Sequence, residues 1–201
     1  MSKVVVFDIG NVLLEWNPRH LFRKLLPDEQ AVDHFLGNIC TPAWNAEQDR
    51  GRPWHVAVAE LTRTFPEYAE LISAYDERWH ETLGGPIEGT VEILKSLSSA
   101  KIPLYALTNF STEKFAGVRE TYDFFDLFEG IVVSGAERVL KPDPAIFYVL
   151  FERYPATRSN AVFIDDSAHN VEAAAALGMQ AVHFKNPEAL RAQLRELDLP
   201  V

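Results

Sequence analysis

The sequence predicts an α/β protein whose core is a doubly wound parallel sheet. Short apolar runs of strand length recur at residues 3–7, 102–107, 130–133, 161–164 and 180–184, and each is too short for a typical helix. Between the later runs, apolar residues recur at helical spacing, as at Val91, Leu94 and Leu97. Alternating strands and helices are typical of a parallel sheet with helices on both faces.

A second observation concerns residues 16–85, where this alternation stops. Apolar residues at helical spacing predict four or five consecutive amphipathic helices there and no strand. The four tryptophans of the chain fall in this interval, and at helical spacing they are expected mainly in a core. We therefore expect a sheet domain of residues 1–15 and 86–201, and a helical domain of residues 16–85 inserted after the first strand.

Composition excludes several classes of protein. The chain has 201 residues, 47% of them hydrophobic, which is enough for a sizeable core. It has no apolar run long enough to span a membrane and no recognisable signal peptide at its start, so a cytoplasmic location is expected. A single cysteine, Cys40, excludes an internal disulfide. The net charge of −10, without a basic run, argues against nucleic acid as a partner.

Polar residues follow the predicted strands in a consistent way. In a doubly wound sheet, ligands bind outside the carboxyl ends of the strands, so these residues are expected to converge. Neighbouring carboxylates repel each other and stay ionised most easily around a divalent cation, and their oxygens are the ligands that Mg²⁺ prefers. With a lysine and a threonine nearby, the set suits a phosphoryl group. Its members are Asp8, Gly10, Thr108, Asn109, Lys141, Asp165 and Asp166.

Four segments carry a resemblance to a known family. They are residues 5–13 (VVFDIGNVL), 107–109 (LTN), 140–144 (LKPDP) and 163–167 (FIDDS). In this order, and at predicted strand ends, they resemble the haloacid dehalogenase superfamily, and within it the phosphatases with a helical cap between the first two motifs. The resemblance implies a Rossmann-like catalytic core, with residues 16–85 as the cap.

The resemblance also implies a role for each residue. Asp8 would be the nucleophile that forms an aspartyl phosphate. Thr108 and the Asn109 amide would hold phosphate oxygens, and Lys141 would neutralise the phosphate and Asp8. Mg²⁺ would be held by the Asp8 side chain, the Gly10 carbonyl and Asp166, with Asp165 bound directly or through water.

One position departs from the family pattern. Most phosphatases of this superfamily carry a second aspartate two residues after the nucleophile, which acts as general acid and then as base. Here that position is Gly10, as in the subset that resembles α-glucose-1-phosphatase. Without a replacement acid, the rate should depend steeply on the leaving group's own acidity. Glu15, His20, Glu47 or a water could replace the missing group, and the sequence does not select among them.

The function expected from the sequence is hydrolysis of a small phosphate ester, with sugar phosphates among the candidates. Two alternatives remain open. The first is 2-haloacid dehalogenation, which also uses an aspartate nucleophile but needs no metal, so the Asp165-Asp166 pair argues against it. The second is a non-catalytic binding protein of the same fold, suggested by Gly10. The sequence carries no indication of the oligomeric state.

Overall fold

The computed structural model describes residues 3–201; residues 1 and 2, which begin the predicted core segment 1–15, lie outside the described residues. The strands are β1 (Val4–Phe7), β2 (Leu14–Trp16), β3 (Leu83–Pro86), β4 (Leu104–Thr108), β5 (Gly130–Val133), β6 (Ala161–Asp165) and β7 (Gln180–His183). The first helices are α1 (Arg19–Leu25), α2 (Glu29–Asn38), α3 (Pro42–Asp49), α4 (Trp54–Thr64), α5 (Ala69–Glu77) and α6 (Glu88–Ser99). The later helices are α7 (Thr112–Thr121), α8 (Ser134–Glu137), α9 (Pro144–Arg153), α10 (Thr157–Asn160), α11 (Ala168–Ala176) and α12 (Pro187–Glu196).

The central sheet confirms the predicted fold class. Its strand order is β5-β4-β1-β6-β7, and each neighbouring pair is parallel. The three middle strands, β4, β1 and β6, are buried along their whole length. Continuous apolar strands of this kind are expected where helices cover both faces of a sheet.

The interval that was predicted to be free of strands is bounded by two of them. β2 and β3 form an antiparallel pair in which Glu15 lies opposite Gly85, so the expectation of no strand in residues 16–85 is wrong at both ends of the interval. The reason is local: each strand has at most four residues, too few to show alternation, and Gly84-Gly85 has low strand propensity. The boundaries of the proposed cap, residues 16–85, remain a prediction.

Helices α1 to α5 pack around aromatic side chains. Trp54 and Tyr75 are almost fully buried, with ring centroids 5.4 Å apart, and the rings of Phe22 and Phe35 are 4.6 Å apart. Such contacts add to the stabilisation that comes from burying the rings. In residues 3–201, no helix has both the length and the apolar character that a membrane crossing requires.

Candidate active site

The predicted site residues converge at one edge of the sheet because the strands that carry them are neighbours. Asp8 directly follows β1, Thr108 ends β4 and Asp165 ends β6. Since β1 lies between β4 and β6 with parallel strands on both sides, the three carboxyl ends point the same way. Lys141 joins them from the segment between α8 and α9.

Lys141 is a buried ammonium group that contacts three oxygen atoms. Its Nζ lies 2.9 Å from Asp8 Oδ1 and 2.7 Å from Asp165 Oδ2, and it donates to the Leu107 carbonyl at 2.8 Å. Two of these contacts are hydrogen bonds, and the contact to Asp8 is an ion pair. Burial alone would lower the pKa of Lys141, but the two carboxylates outweigh burial and raise it. The side chain is therefore a fixed positive charge beside Asp8.

Asp8 is the most strongly perturbed carboxylate of this group. Its Oδ1 accepts a hydrogen bond from the Ile9 amide at 2.7 Å and faces Lys141, whereas Oδ2 has no hydrogen-bond partner within residues 3–201. Burial raises the pKa of Asp8 to about 7, with Lys141 opposing the rise and Asp165 adding to it. A further cation near Oδ2 would favour the ionised form that a nucleophile needs.

Asp165 is engaged by neighbouring groups rather than open to solvent. Its Oδ1 accepts from the Ser167 amide at 2.9 Å and from Asn170 Nδ2 at 3.0 Å, while Oδ2 faces Lys141. Asp165 therefore fixes the position of the lysine. Asn170, in the first turn of α11, is buried against this carboxylate.

Asp166 completes an acidic cluster that suits a divalent cation. One carboxylate oxygen each from Asp8, Asp165 and Asp166 lies within 4.8 Å of the others, and Asp166 is the exposed member. Burial and the charge of Asp165 raise the pKa of Asp166. Three carboxylates with one ammonium leave excess negative charge, and hard oxygen ligands fit a cation such as Mg²⁺.

Thr108 and Asn109 have different roles. Thr108 is fully buried and its Oγ1 has no hydrogen-bond partner among the described residues, a cost that a phosphate oxygen could remove. The side chain of Asn109 makes two hydrogen bonds to the Lys141 backbone. Its Nδ2 donates to the Lys141 carbonyl at 3.0 Å, and its Oδ1 accepts from the Lys141 amide at 2.8 Å. A phosphate contact from Asn109 would therefore have to use its backbone N–H.

A cavity of about 220 Å³ lies over these residues. Four of the predicted site residues line it, namely Asp8, Gly10, Asn109 and Asp166. The other three, Thr108, Lys141 and Asp165, are buried and do not line the cavity. The remaining wall is aromatic and polar, and consists of Asn11, Trp16, Asn45, Asp49, Trp79 and Phe110.

Sequence reasoning missed Asp49 and considered other groups in its place. Glu15 and His20 pair with each other at 3.0 Å on the surface, and Glu47 lies 3.6 Å from Arg50; none of the three candidates lines the cavity. Asp49 does line it. Nothing in the local sequence separates Asp49 from the exposed Glu47, because a change of two positions along a helix decides which face a side chain occupies.

Comparisons with known proteins identify the family of the chain. Residues 2–178 match the family model of haloacid dehalogenase-like hydrolases. A sesquiterpene phosphatase from Aspergillus oryzae is 27% identical over 97% of this chain and 96% of its own length. A phosphatase of phosphorylated carbohydrates from Thermotoga maritima is 20% identical over 90% of this chain and 84% of its own length.

A solved structure supports the fold. It is that of an enzyme of the same family from Bacteroides thetaiotaomicron in complex with magnesium, with a TM-score of 0.73, 21% identity, and coverage of 96% of this chain and 98% of that one. Since the family match spans most of the sequence and the parallel sheet agrees with it, this chain belongs to the haloacid dehalogenase-like hydrolases.

Proposed function

We propose that the protein is a Mg²⁺-dependent phosphatase that hydrolyses a small phosphorylated metabolite through an aspartyl phosphate on Asp8. The observation that carries this proposal is the state of Asp8. One of its carboxylate oxygens is held by Lys141 at 2.9 Å, the other makes no hydrogen bond among the described residues, and the residue lines a cavity. A carboxylate fixed on one side and open on the other is suited to attack phosphorus.

The neighbouring residues have distinct parts in this reaction. Asp8 attacks the phosphorus atom and displaces the leaving oxygen. Lys141 compensates charge at Asp8, and the unpartnered Thr108 hydroxyl donates to a phosphoryl oxygen. Asp8, Asp166 and the Gly10 carbonyl would hold Mg²⁺, with Asp165 bound directly or through water. The ion would supply neutralising charge at the phosphoryl oxygens.

The cavity favours a small substrate. Its volume of about 220 Å³ is below the range of roughly 300–1,000 Å³ for sites that hold drug-sized ligands. Trp16, Trp79 and Phe110 offer apolar contact, which suits either the C–H face of a sugar or a hydrocarbon group. Both choices are consistent with the names of the relatives, one a carbohydrate phosphatase and one a sesquiterpene phosphatase. Sugar phosphates are our first candidates.

The test is a phosphate-release assay with p-nitrophenyl phosphate and a panel of sugar and prenyl phosphates, run with Mg²⁺ and with chelator. We expect turnover that chelator abolishes. Asp8→Asn should lower kcat on the order of 10⁴-fold or more, because the amide cannot form the acyl phosphate, whereas Asp126→Asn, at an exposed aspartate, should leave kcat unchanged.

Two outcomes would contradict the proposal. Release of chloride from 2-chloropropionate with no phosphatase activity would favour the dehalogenase alternative. No turnover of any substrate by a folded protein would favour the binding protein. Trapping of beryllium fluoride by the native protein but not by Asp8→Asn, followed by ¹⁹F NMR, would link the activity to Asp8.

A further inference from the structure

Because position 10 carries no acidic side chain, another group in the cavity has to transfer the proton. Gly10 lines the cavity, and a Cβ added to it would have no heavy atom within 4 Å. The carboxyl groups that line the cavity within residues 3–201 belong to Asp8, Asp49 and Asp166. Asp8 is the proposed nucleophile and Asp166 belongs to the acidic cluster. Asp49 is therefore the carboxyl group that remains for proton transfer.

Asp49 is held at a defined place by hydrogen bonds between the end of α3 and residues that follow β4 and β5. It is the last residue of α3, a helix that begins at Pro42 after the Thr41 side chain caps it. Its backbone carbonyl accepts a hydrogen bond from Ser134 Oγ at 2.6 Å, and the same Oγ accepts from the Phe110 amide at 2.9 Å. These bonds connect the end of α3 to the start of α8 and to the loop that follows β4.

The Asp49 side chain can exist in both protonation states. Asn45 Nδ2 donates to Asp49 Oδ2 at 3.0 Å, and the Asn45 Oδ1 is buried without a partner. The amide can donate to a carboxylate as it stands, or turn over and accept from a carboxylic acid. The Asn45 amide can therefore form a hydrogen bond with either the charged or the neutral form of Asp49.

Electrostatics favour the protonated form at neutral pH. Burial raises the pKa of Asp49 to about 7, and a hydrogen bond from the Ser111 backbone opposes the rise. Asp49 forms no ion pair within the described part of the chain, and it lies at the C-terminal end of a helix, where the partial negative charge disfavours a carboxylate. A carboxylic acid that titrates near the working pH is well matched to general acid catalysis.

We infer that Asp49 is the general acid and base of this site, supplied by α3 in place of the side chain missing at Gly10. The inference rests on the proposed phosphatase function. As Asp8 Oδ2 bonds to phosphorus, the bond from phosphorus to the leaving oxygen breaks, and that oxygen keeps the electron pair and takes the proton of Asp49.

The second step returns both residues to their starting states. A water oxygen attacks the phosphorus of the aspartyl phosphate while the Asp49 carboxylate takes one of its protons. The bond between phosphorus and Asp8 breaks, and its electron pair returns to the Asp8 carboxylate. The net change is one ester and one water converted to one alcohol and one orthophosphate.

The test compares leaving groups in wild type, Asp49→Asn and Glu47→Gln, the last being an exposed carboxylate on the same helix. The quantity is kcat/KM, which covers only the steps up to departure of the leaving group. For p-nitrophenyl phosphate, whose leaving group needs no proton, Asp49→Asn should lower kcat/KM less than about tenfold; for alkyl phosphates the loss should be about 10²-fold or more. Glu47→Gln should match wild type.

Further outcomes decide the test. Wild type should show a shallow dependence on leaving-group acidity, and a steep one would overturn the inference, as would equal losses with both substrate classes in Asp49→Asn. Beryllium fluoride trapping at Asp8 in Asp49→Asn checks that the variant keeps its site, and a burst of p-nitrophenol should appear because water attack has lost its base. Inactivity of wild type toward every phosphate ester would instead contradict the proposed function.

Discussion

At the residue scale, the buried charges around Lys141 decide how the site is held together. The ammonium group is 2.9 Å from Asp8 and 2.7 Å from Asp165, and all three side chains are buried. Removing one partner from such a group leaves an uncompensated charge in a site of low dielectric constant, which costs more than the pair itself contributes.

Replacing this lysine should therefore be costly. Lys141→Met should lower the free energy of unfolding by about 3–5 kcal/mol at pH 7 in the presence of chelator. Urea denaturation followed by circular dichroism measures this loss. Lys95→Met, at an exposed position on α6, should change stability by less than about 0.5 kcal/mol. Equal effects of the two substitutions would show that the buried charges are not coupled to folding.

Asp49 should leave a signature in the pH dependence of stability. Its folded-state pKa of about 7 lies above the ordinary value of 3.8, so its contribution to stability is fully present below about pH 4 and is lost as the pH rises through 7. Tyr75, which senses the charge of Asp49, has its pKa raised well above its ordinary value by burial and stays neutral in this range.

In Asp49→Asn, the side chain at position 49 cannot ionise. The stability of the variant relative to wild type should therefore increase between pH 4 and pH 8, as measured by urea denaturation in the presence of chelator. Glu47→Gln, on the exposed side of α3, should show no such trend. A difference between Asp49→Asn and wild type that stays constant across this range would argue that the Asp49 carboxyl group is not desolvated in the folded protein.

At the element scale, a buried hydroxyl group connects the end of α3 to the start of α8. Ser134, at the start of α8, is fully buried, and its Oγ connects the Asp49 carbonyl with the Phe110 amide. Both are backbone groups that have no ordinary secondary-structure partner at these positions. A buried backbone group without a partner costs free energy.

Removal of this hydroxyl should loosen the helix end and lower activity. Ser134→Ala should cost about 1–3 kcal/mol, because it leaves a donor and an acceptor unpaired. Ser99→Ala, at an exposed serine on α6, is the matched control and should be nearly neutral. Since Ser134 also positions Asp49, kcat/KM for alkyl phosphates should fall more than for p-nitrophenyl phosphate. An unchanged kcat/KM for both would show that α3 is held by other contacts.

At the scale of the whole molecule, metal binding should add to the stability of the fold. The acidic cluster joins the ends of two neighbouring strands, β1 and β6, and exists only when the sheet is formed. A ligand that binds the native state alone stabilises it by mass action, by about 2.7 kcal/mol at 100 times the dissociation constant.

Mg²⁺ should accordingly raise the melting temperature, and Ca²⁺ serves as a comparison because it also takes oxygen ligands but prefers a larger, more flexible site. Asp166→Asn should lose most of the shift, since Asp166 is the exposed carboxylate of the cluster. Thermal scans with increasing Mg²⁺ measure the effect. Identical midpoints with Mg²⁺ and with chelator would contradict a metal site at this position.

The sequence by itself determined the central sheet and which residues the sheet brings together as a candidate site. Buried strands such as β1 and β6 are continuous apolar runs, so their existence and the polar residues after them could be predicted without the fold. Asp8, Thr108, Asp165 and Asp166 follow from the rule that parallel strands deliver their carboxyl ends to one edge. The strands and the polar residues after them depend on neighbouring positions in the sequence, which is why the sequence pattern alone predicts them.

Only the tertiary structure decided how the site is completed. Asp49 and Ser134 are 85 positions apart in the chain and come together because the end of α3 packs on the start of α8. Asn109 and Asn170 likewise proved to hold Lys141 and Asp165 in place. Contacts between distant segments depend on how helices pack, and a change of two positions along a helix decides whether a carboxylate faces solvent or the cavity. That is why the sequence left Glu15, His20, Glu47 and water as alternatives, whereas the fold places Asp49 beside the cavity.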